Sequence, residues 1–467
     1  MALHPAFLVV LLVGALAVVS SQVTLAPGID PKYQFFIDLA NTPIAKGDNF
    51  PGLGVFRWAR FRSNGSAYLD GFQQAFGDSI HMRTAPWGGI SLALLTIAPG
   101  GLRQPHWHFN TAELGYVLSG TAQVGAFGPG TLPAAEFAVQ QGQIFFFPQG
   151  NNHYIANSGS TNLTILNAFS TVDQIQTLQL DDLLLLSDPS VTAQILGGQS
   201  ATFAQFPAYA VGSKALVPGP AGSNKIGSPL DGPIVSSDNL NASNYFYNLK
   251  GSQNFTYPGG VIQWARYRAN ATAANLTAQQ TAFSQTLHNT NAGITAGSLL
   301  VVPGGVREPH WHTVNEFAYV TGGKGTIQTV GPTGADTYSY DAVPGNLFFF
   351  PTGYSHTIRN PPGNTDNFTL FIVWSTSDEL QSVDLEESFD VISSGILGQA
   401  FGVNPQVFSS LPKLHETIAP PRNVSGPAFS NVLASSAQAP ASGPAAPAAA
   451  GGNGTGTNGT AVKTATP

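Results

Sequence analysis

The chain has 467 residues, of which 43% are hydrophobic and 9% are charged, and its formal net charge is −7. A chain of this length is longer than one hydrophobic core usually supports, so we expect two domains. The acidic balance and the lack of a basic run argue against a nucleic-acid partner. The sequence contains no cysteine, so disulfide bonds do not stabilise the fold.

Residues 1–21 have the features of a signal peptide. An apolar run from Ala6 to Val19 is too short to span a bilayer, and small residues precede Gln22. We therefore expect a secreted, extracellular protein without a membrane span, with cell-wall association as one option. Ten Asn-x-Ser/Thr sequons agree with a secreted glycoprotein. They begin at Asn64, Asn162, Asn241, Asn254, Asn270, Asn275, Asn367, Asn423, Asn453 and Asn458.

The body of the chain predicts an all-β protein. Short apolar runs, such as residues 90–97, 144–147 and 163–166, alternate with clusters of Gly, Pro and Asn. A double-sheet jelly roll in each half of the chain suits this spacing. We expect helices only after each jelly roll, from Asp181 through Ile195 and from Leu385 to Leu397.

Changes in composition divide the chain into segments. We place a first domain at residues 35–206 and a second at residues 251–415. Residues 207–250, rich in Pro, Gly and Ser, are interpreted as the linker between them. Residues 418–467 contain mainly Ala, Pro, Gly, Ser, Thr and Asn, which cannot bury a core, so we expect a disordered tail.

One histidine pattern occurs twice, about two hundred residues apart. In the first copy, GGLRQPHWH at 100–108 is followed by Glu113 and by GQIFFFPQGNNHYIAN at 142–157. In the second copy, GGVREPHWH at 304–312 is followed by Glu316 and by GNLFFFPTGYSHTIRN at 345–360. Six of the ten histidines lie in these two copies, which indicates a shared role rather than scattered positions in a core.

The spacing predicts a metal site in each copy. Because side chains alternate along a strand, the two histidines of each HWH point to one face and the tryptophan to the other. The glutamate follows a tight turn, and the third histidine arrives from another strand after a Pro-x-Gly turn. Three imidazoles and one carboxylate leave two positions of an octahedral ion open, which suits Mn or Fe better than Zn. The candidate ligands are His106, His108, Glu113 and His153 in the first site and His310, His312, Glu316 and His356 in the second.

Both copies resemble the cupins, and in particular the two-domain cupins of the oxalate decarboxylase type. The resemblance rests on GG-x-R-x-x-HWH and G-x5-P-x-G-x2-H-x3-N in each half, and it covers about residues 35–415. A repeat outside these motifs supports it, because FRWARFR at 56–62 is echoed by IQWARYR at 262–268. The resemblance implies two jelly-roll barrels, each followed by short helical segments. It also implies two manganese sites per chain, with iron as the alternative, and a small carboxylate substrate that reacts with oxygen. Assembly into a homo-oligomer is left open.

In the decarboxylases that the chain resembles, the matching arginines hold the anionic substrate, which implies this role for Arg103 and Arg307. A guanidinium can bind a carboxylate through two parallel hydrogen bonds, which suits a small diacid. Each arginine lies three residues before the first ligand histidine, so strand alternation alone directs it to the opposite face. Pro105 and Pro309 permit a local break in that alternation.

The resemblance also implies a proton donor, which is a glutamate on a lid after the first barrel. Here Gln174 stands where the acid is expected, and a glutamine cannot donate a titratable proton. The adjacent Asp173 is a carboxylic acid, but its side chain leaves the backbone in a different direction. The second repeat carries Asp378 and Glu379 at the corresponding place. Glu379 is therefore our candidate catalytic acid, with a solvated acidic turn as the alternative.

Three functions remain open from the sequence. The first is a secreted manganese enzyme that converts oxalate, or a similar small acid, to formate and carbon dioxide. The second is another oxidoreductase on the same fold, such as an oxalate oxidase or a superoxide-dismuting germin-like protein. The third is a storage or wall-associated protein without turnover, which the glutamine on the first lid and the sequons of the tail would fit.

Overall fold

The computed structural model describes residues 36–42, 44, 47–59, 89–128, 134–172, 174–197, 215–218, 244–270, 275–331 and 337–422. The predicted signal peptide, Asp173 and the chain from residue 423 onward lie outside the described residues. Within the described part, strands dominate and form two barrels, so the predicted all-β fold is confirmed.

The first half of the chain forms strands whose lengths match the short apolar runs of the sequence. In chain order they are β1 (Phe36–Asp38), β2 (Asn49–Phe50), β3 (Gly54–Ala59), β4 (Ser91–Ile97), β5 (Gly101–His108), β6 (Glu113–Ser119), β7 (Thr121–Phe127), β8 (Ala135–Gln140), β9 (Ile144–Phe147), β10 (Asn152–Asn157), β11 (Leu163–Phe169), β12 (Thr177–Gln179), β13 (Leu216–Pro218) and β14 (Phe246–Tyr247).

The second half repeats this order of strands. They are β15 (Phe255–Tyr257), β16 (Gly260–Ala265), β17 (Thr295–Val301), β18 (Val306–His312), β19 (Glu316–Gly322), β20 (Gly325–Val330), β21 (Thr337–Ala342), β22 (Asn346–Phe350), β23 (Ser355–Arg359), β24 (Phe368–Trp374), β25 (Ser382–Asp384) and β26 (Ile418–Ala419). The helices are α1 (Leu180–Leu186), α2 (Pro189–Leu196), α3 (Ala278–Asn289), α4 (Leu385–Val391), α5 (Ser394–Phe401) and α6 (Gln406–Ser409).

Each barrel consists of a seven-stranded sheet and a six-stranded sheet with antiparallel pairings. In the first barrel the seven-stranded order is β14-β9-β6-β11-β4-β3-β2, and the other sheet runs β12-β5-β10-β7-β8 with β13 beside β5. In the second barrel the seven-stranded order is β1-β22-β19-β24-β17-β16-β15, and the other sheet runs β21-β20-β23-β18-β25 with β26 beside β18. The strands that carry the ligands therefore hold equivalent positions in both barrels.

Three hydrophobic clusters hold this arrangement together. One fills each barrel, and a third joins the outer faces of the two seven-stranded sheets. The phenylalanine runs show how one strand serves two clusters, because alternate side chains point to opposite faces. Phe145 and Phe147 face the first barrel, whereas Phe146 lies in the cluster between the barrels. In that shared cluster Tyr116 stacks on Phe371, with 4.1 Å between ring centroids.

The strand pairings place some segments differently from the predicted boundaries. Residues 36–38, assigned to the first domain, form an edge strand of the second barrel, where Phe36 pairs with Phe348. Within the predicted linker, β13 and β14 pair with β5 and β9 of the first barrel. The predicted tail begins too early, because Ile418 is fully buried and pairs with Arg307. These pairings join residues distant in sequence, and composition does not report them.

Helix α3 lies between two strands of the second barrel, so the prediction that helices occur only after each barrel is wrong for this segment. Its start is marked by a capping box: Gln280 donates its backbone N–H to the Thr277 side chain, and its own side chain accepts from the Thr277 N–H. Phe283 and Leu287, one helical turn apart, are buried in the cluster between the barrels.

Five of the predicted glycosylation sequons lie in the described residues. Their asparagines are exposed, which is the accessibility that a glycan requires. They are Asn162, Asn254, Asn270, Asn275 and Asn367. None of the helices in the described part of the chain is both long and apolar enough to traverse a lipid bilayer.

Candidate metal centres

Each barrel brings three histidines and one glutamate together, and the sequence of β5 and β18 sets their directions. In the first barrel the cluster is His106 and His108 on β5, Glu113 at the start of β6 and His153 on β10. In the second it is His310 and His312 on β18, Glu316 on β19 and His356 on β23. In each cluster the potential ligand atoms lie within 4.8 Å of one another, and every residue is buried.

A glycine turn aims the third histidine of each cluster. Gly150 and Gly353, in the Pro-x-Gly turns, have φ of +80° and +81°, which a glycine adopts without the steric cost of a Cβ. The chain then enters β10 or β23 with the histidine inside the barrel. Phe147 stacks on His153 at 3.9 Å between ring centroids, and Phe350 on His356 at 4.0 Å. The phenylalanine runs therefore hold the imidazole planes in place.

Hydrogen bonds fix which nitrogen of each imidazole faces the cluster. In the first barrel, His106 Nδ1 donates to the Gln104 carbonyl at 2.7 Å and His153 Nδ1 to the Asn151 carbonyl at 2.9 Å. His108 Nδ1 lies 2.9 Å from the Thr177 hydroxyl. Because a carbonyl only accepts hydrogen bonds, His106 and His153 keep the proton on Nδ1 and turn an Nε2 lone pair inward.

The second barrel repeats this arrangement. His310 Nδ1 donates to the Glu308 carbonyl at 2.8 Å, and His356 Nδ1 to the Tyr354 carbonyl at 3.2 Å. His312 Nδ1 lies 2.7 Å from the Ser382 hydroxyl. Oε1 of Glu316 is buried without a hydrogen-bond partner among the described residues, and the inward Nε2 atoms of His312 and His356 lie 2.8 and 3.4 Å from Oε2 of the same carboxylate. Buried polar atoms of this kind normally require a partner, and a metal ion would supply it.

Burial and the neighbouring groups favour the protonation states that the histidines and the glutamate need as metal ligands. Desolvation lowers the pKa of His108 to about 4 and holds the pKa of His106 and His310 well below the usual value. Burial alone would raise the pKa of Glu113, but the contacts of its carboxylate with His108 and His153 outweigh it and lower the value to about 2. At neutral pH these imidazoles are neutral and this carboxylate is ionised, which is the ligand form of each group.

The donor set fits a divalent transition metal. Three imidazole nitrogens and one carboxylate oxygen, supplied by three strands, leave coordination positions open, whereas a structural zinc site is closed by four ligands. Three of the four residues of each cluster, two histidines and the glutamate, line a cavity of about 150 Å³ in the first barrel and about 200 Å³ in the second. These cavities have room for one small ligand beside an ion.

Arg103 and Arg307 line the same cavities as the ligands, although strict alternation would place them on the opposite face. The strand pairing explains this. On β10, His153 and Ile155 are two residues apart, but their partners on β5, His106 and Arg103, are three apart. The extra residue is a β-bulge, which returns the arginine to the histidine face. The second barrel has the same irregularity between Arg307 and His310.

The two arginines differ in their contacts. Arg103 Nη1 donates to Oε1 of Gln179 at 3.1 Å and to the Ala215 carbonyl at 3.2 Å. Arg307 Nη2 donates to Oδ1 of Asp384 at 2.7 Å, and its Nη1 donates to the Thr417 carbonyl at 3.1 Å. Both guanidinium groups are buried.

The segment that the resemblance predicts as a lid is residues 174–179 in the first barrel and residues 379–384 in the second. In the first barrel its inward side chains are Ile175 and Thr177 at the cavity and Gln179 on Arg103. In the second they are Leu380, Ser382 and Asp384. Thr177 and Ser382 occupy the same register, opposite His108 and His312. Position 174 therefore corresponds to position 379, as the sequence alignment of the two halves predicts.

Glu379 is on the lid, but the structure does not bring it to the metal ligands. Its side chain is exposed and accepts a hydrogen bond of 3.0 Å from the Ala269 backbone N–H. It lines a separate surface cavity together with Asp378 and Gln381. Gln174 is likewise exposed on the first lid. Side chains alternate along each lid, so Ile175, Thr177 and Gln179 face inward in the first barrel. Gln174 and its counterpart Glu379 therefore face solvent.

Three residues at the sites were missed from the sequence. Gln179 and Asp384 contact the two arginines, and Trp374 Nε1 donates to Oε2 of Glu316 at 2.7 Å. Continuing the alignment of the two lids by five residues would have paired Gln179 with Asp384. No local sequence pattern marks Trp374, because its contact with Glu316 depends on the pairing of β24 with β19.

Known proteins share this architecture. A family model described as Cupin matches residues 80–197 and again residues 268–408. Germin-like protein 5-1 of Oryza sativa subsp. japonica is 34% identical over 83 residues, which are 18% of this chain and 37% of that protein. Oxalate decarboxylase OxdC of Bacillus subtilis is 38% identical over 80 residues, which are 17% of this chain and 20% of that protein. The matched segments thus span well under half of these curated relatives.

Solved structures match over a greater length. The structure of oxalate decarboxylase from Bacillus subtilis at pH 4.6 has a TM-score of 0.61 and 18% identity, and the match covers 83% of this chain and 88% of that chain. A structure from work on the Mn(II) centres of the same enzyme has a TM-score of 0.62, 18% identity and coverage of 83% and 89%. At this identity the likeness establishes the fold alone.

Proposed function

This chain belongs to the cupin family and carries two copies of the cupin domain; from that premise we propose that it is a secreted, manganese-dependent enzyme that converts oxalate, or a similar small carboxylic acid, to formate and carbon dioxide. One observation carries the proposal: in both barrels a buried arginine lines the same small cavity as two histidines and the glutamate of the metal cluster. Such a cavity offers a metal and a carboxylate anchor to one small acid.

The chain's own residues would bind and shield the substrate. In the first barrel His106, His108, Glu113 and His153 would hold the metal. When bound, manganese would supply positive charge for a carboxylate oxygen and one-electron chemistry with oxygen. Arg103 would hold a carboxylate through charge-assisted hydrogen bonds, which are strengthened where water is excluded. Ile175 on the lid and Phe169 on β11 line the same cavity with apolar surface, which would reduce its water content.

The reaction needs a proton at carbon. Oxalate, with two negative charges, and one proton give formate and carbon dioxide, so the carbon–carbon bond breaks and a carbon–hydrogen bond forms. The sequence predicts that Glu379 delivers that proton, and this stays a proposal. In the structure its carboxylate faces the outer side of the lid, so the role would require the lid to turn.

A second candidate is an oxalate oxidase, and a specific observation favours it. The described inward positions of the first lid are Ile175, Thr177 and Gln179, none of which is a carboxylic acid. Without a proton donor at carbon, oxalate, oxygen and two protons would give two carbon dioxide molecules and hydrogen peroxide. The metal and the arginine would serve either reaction. Delivery of a proton to carbon would give formate, and its absence would give hydrogen peroxide.

The test is a product analysis with purified, Mn-loaded protein and oxalate under air. Formate, carbon dioxide and peroxide are measured in the same sample. Formate and carbon dioxide in equal amounts support the proposal, whereas carbon dioxide with peroxide and no formate supports the oxidase. Fully loaded protein that forms none of these products contradicts both and favours another acid or a role without turnover.

A further inference from the structure

The cavity of the second barrel contains a cationic side chain that the proposed function does not use. Arg266 directly follows β16 and lines this cavity together with Arg307, the arginine on β18. Ile262 and Trp264 on β16 line it as well, so strand alternation places Arg266 on the same inward face. Because β16 and β18 belong to different sheets, each sheet of the barrel contributes one arginine to the cavity.

The guanidinium group of Arg266 stacks on an indole ring. Its Cζ lies 3.9 Å from the centre of the Trp264 ring, a contact in which the flat cation is attracted to the aromatic face. Stacking leaves the N–H groups at the edge of the guanidinium free, and a carboxylate can accept two of them in parallel. The Nε atom is buried and lacks a hydrogen-bond partner in the described part of the chain. A buried donor normally requires an acceptor, which an anionic ligand would supply.

A row of aromatic rings connects Arg266 with the metal cluster. The ring of Trp264 lies 5.2 Å from that of Trp374, and the ring of Trp374 lies 5.9 Å from the imidazole of His312. The hydrogen bond from Trp374 to Glu316 fixes the middle of the row. Arg266 thus stands at one end of the row and a metal ligand at the other. A carboxylate on Arg266 would therefore belong to a different end of the ligand from a carboxylate at the metal cluster.

The charges that line this cavity suit a ligand with two negative groups. The charged lining residues are Arg266, Arg307, Glu316 and Asp384. Their formal charges cancel, and histidines that bind a metal are neutral, so a divalent ion would leave two positive charges for the ligand. Burial lowers the pKa of Arg266 to about 10, with a smaller contribution from Arg268 that Glu379 opposes, so this side chain is a cation at neutral pH.

We infer that Arg266 is a second carboxylate anchor, and that the second barrel binds a dicarboxylate with one carboxylate at the metal cluster and the other on Arg266. The class of ligand, a small carboxylic acid, rests on the proposed function. Arg266 would select for dicarboxylates, because a monocarboxylate can occupy only one end of this site. Arg60, the counterpart of Arg266 in the first repeat, lies outside the described residues.

The test compares ligands with one and two carboxylates at the second barrel. The reference protein carries Arg103→Gln and His108→Gln, which remove the anchor and one metal ligand of the first barrel, and it is loaded with one Mn per chain. Oxalate, malonate, succinate and acetate are titrated by calorimetry without oxygen, so that binding is measured in the absence of turnover. We expect the best-fitting dicarboxylate to bind about tenfold more tightly than acetate, or better, and Arg266→Gln to remove this preference while the affinity for acetate changes by less than about twofold.

Two further variants separate the role of Arg266 from a general effect of charge. Arg266→Lys keeps the charge but loses the flat pair of donors, so it should recover only part of the preference. Arg359→Gln removes an exposed arginine at the end of β23, outside the cavity, and should leave the preference intact. The Mn content and melting temperature of every variant are measured, which distinguishes a lost anchor from misfolding or loss of metal.

The same substitution in otherwise wild-type protein makes the result independent of the changes in the first barrel. With two Mn per chain, Arg266→Gln should reduce the number of selectively bound dicarboxylates by one per chain. Equal affinities for acetate and all three dicarboxylates in the reference protein, or no binding of any of them, would overturn the inference. A preference that Arg266→Gln leaves intact would do so too, as would a loss of acetate binding in Arg266→Gln, since Arg266 would then be the sole anchor.

The inference and the proposed function can fail separately. Selective binding that depends on Arg266, without formate, carbon dioxide or peroxide from oxalate under air, would support the second anchor and contradict the proposed function. Turnover of oxalate by wild-type protein, together with a second barrel that does not distinguish dicarboxylates from acetate, would contradict the second anchor alone.

Discussion

Trp374 donates a hydrogen bond of 2.7 Å from Nε1 to Oε2 of Glu316, the carboxylate of the second metal cluster. Trp374 pairs with Glu316 across β24 and β19, and Phe169 pairs with Glu113 at the same place in the first barrel. Phenylalanine has no donor, so the two carboxylates differ in their support although the ligand sets are identical. Groups that hydrogen-bond to a ligand orient it and tune the metal.

Trp374→Phe should make the second cluster resemble the first. We expect its affinity for Mn to fall by about tenfold, because the carboxylate loses the donor that orients it. Competition with a chelator, followed by electron paramagnetic resonance of the bound Mn(II), measures the affinity of the weaker site. Trp311→Phe is the control, since Trp311 lies between the ligand histidines and points to the other face of the strand. Equal affinities in wild-type protein and Trp374→Phe would show that the hydrogen bond does not tune the site.

The two metal clusters should be separable by mutation. His108→Gln should reduce the metal content from two ions per chain to one, and His312→Gln should do the same in the other barrel. The double variant should bind none, because each cluster then lacks one of its four ligands. Metal analysis of dialysed protein gives the count. His288→Gln is the matched control, since His288 pairs with Asp378 outside both clusters, and a loss of metal there would contradict the assignment.

Acidification should destabilise the metal-free protein. The pKa of His108 is lowered from 6.5 to about 4 in the fold, so between these values the unfolded chain binds more protons than the folded one. The free energy of unfolding therefore falls as the pH drops from about 6.5 to 4. Glu113, with its pKa lowered from 4.5 to about 2, adds a further loss below pH 4.5.

Melting temperatures of the metal-free protein between pH 3 and pH 8 measure this dependence, with about one pH unit between samples. His108→Gln should show a smaller decrease between pH 6.5 and pH 4 than the wild type, because it lacks the proton-binding group. A wild-type melting temperature that is constant or rises on acidification through this range would contradict the burial of neutral histidines.

The position of Glu379 also gives a prediction. Its carboxylate accepts a hydrogen bond from the Ala269 N–H and faces away from the second cluster. With the lid held in this position, Glu379→Gln should leave the rate of oxalate breakdown unchanged within about twofold. Initial rates at equal Mn content test this. A loss of tenfold or more would return the role of proton donor to Glu379, as the sequence predicts, and would require a different position of the lid during turnover.

Sequence patterns could predict much of this molecule because the relevant signals are local. The two copies of HWH and the Pro-x-Gly turns predict two barrels and two sets of ligands, since alternation along a strand determines which side chains share a face. The capping box at Thr277 and Gln280 was an equally local signal for α3, and it was overlooked.

The remaining features depend on pairings between distant segments. The direction of Arg103 is set by a bulge that exists only because β5 pairs with β10. Residues 36–38 belong to the second barrel rather than the first because they pair with β22. Neither pairing produces a periodic pattern in the sequence. Strand alternation alone therefore predicts that Arg103 points to the face opposite His106, which is wrong. The contacts of Gln179 with Arg103 and of Asp384 with Arg307 are likewise evident only from the structure.

The proposed function is tested most directly by the release of carbon dioxide from labelled oxalate under air. The rate is compared between wild-type protein and Arg103→Gln, both with two Mn per chain. We expect release by the wild type and a rate lower by about a hundredfold in Arg103→Gln, because the buried anchor of the carboxylate is lost while the metal ligands remain. No carbon dioxide from fully loaded wild-type protein, or equal rates in wild type and Arg103→Gln, would contradict the proposed function.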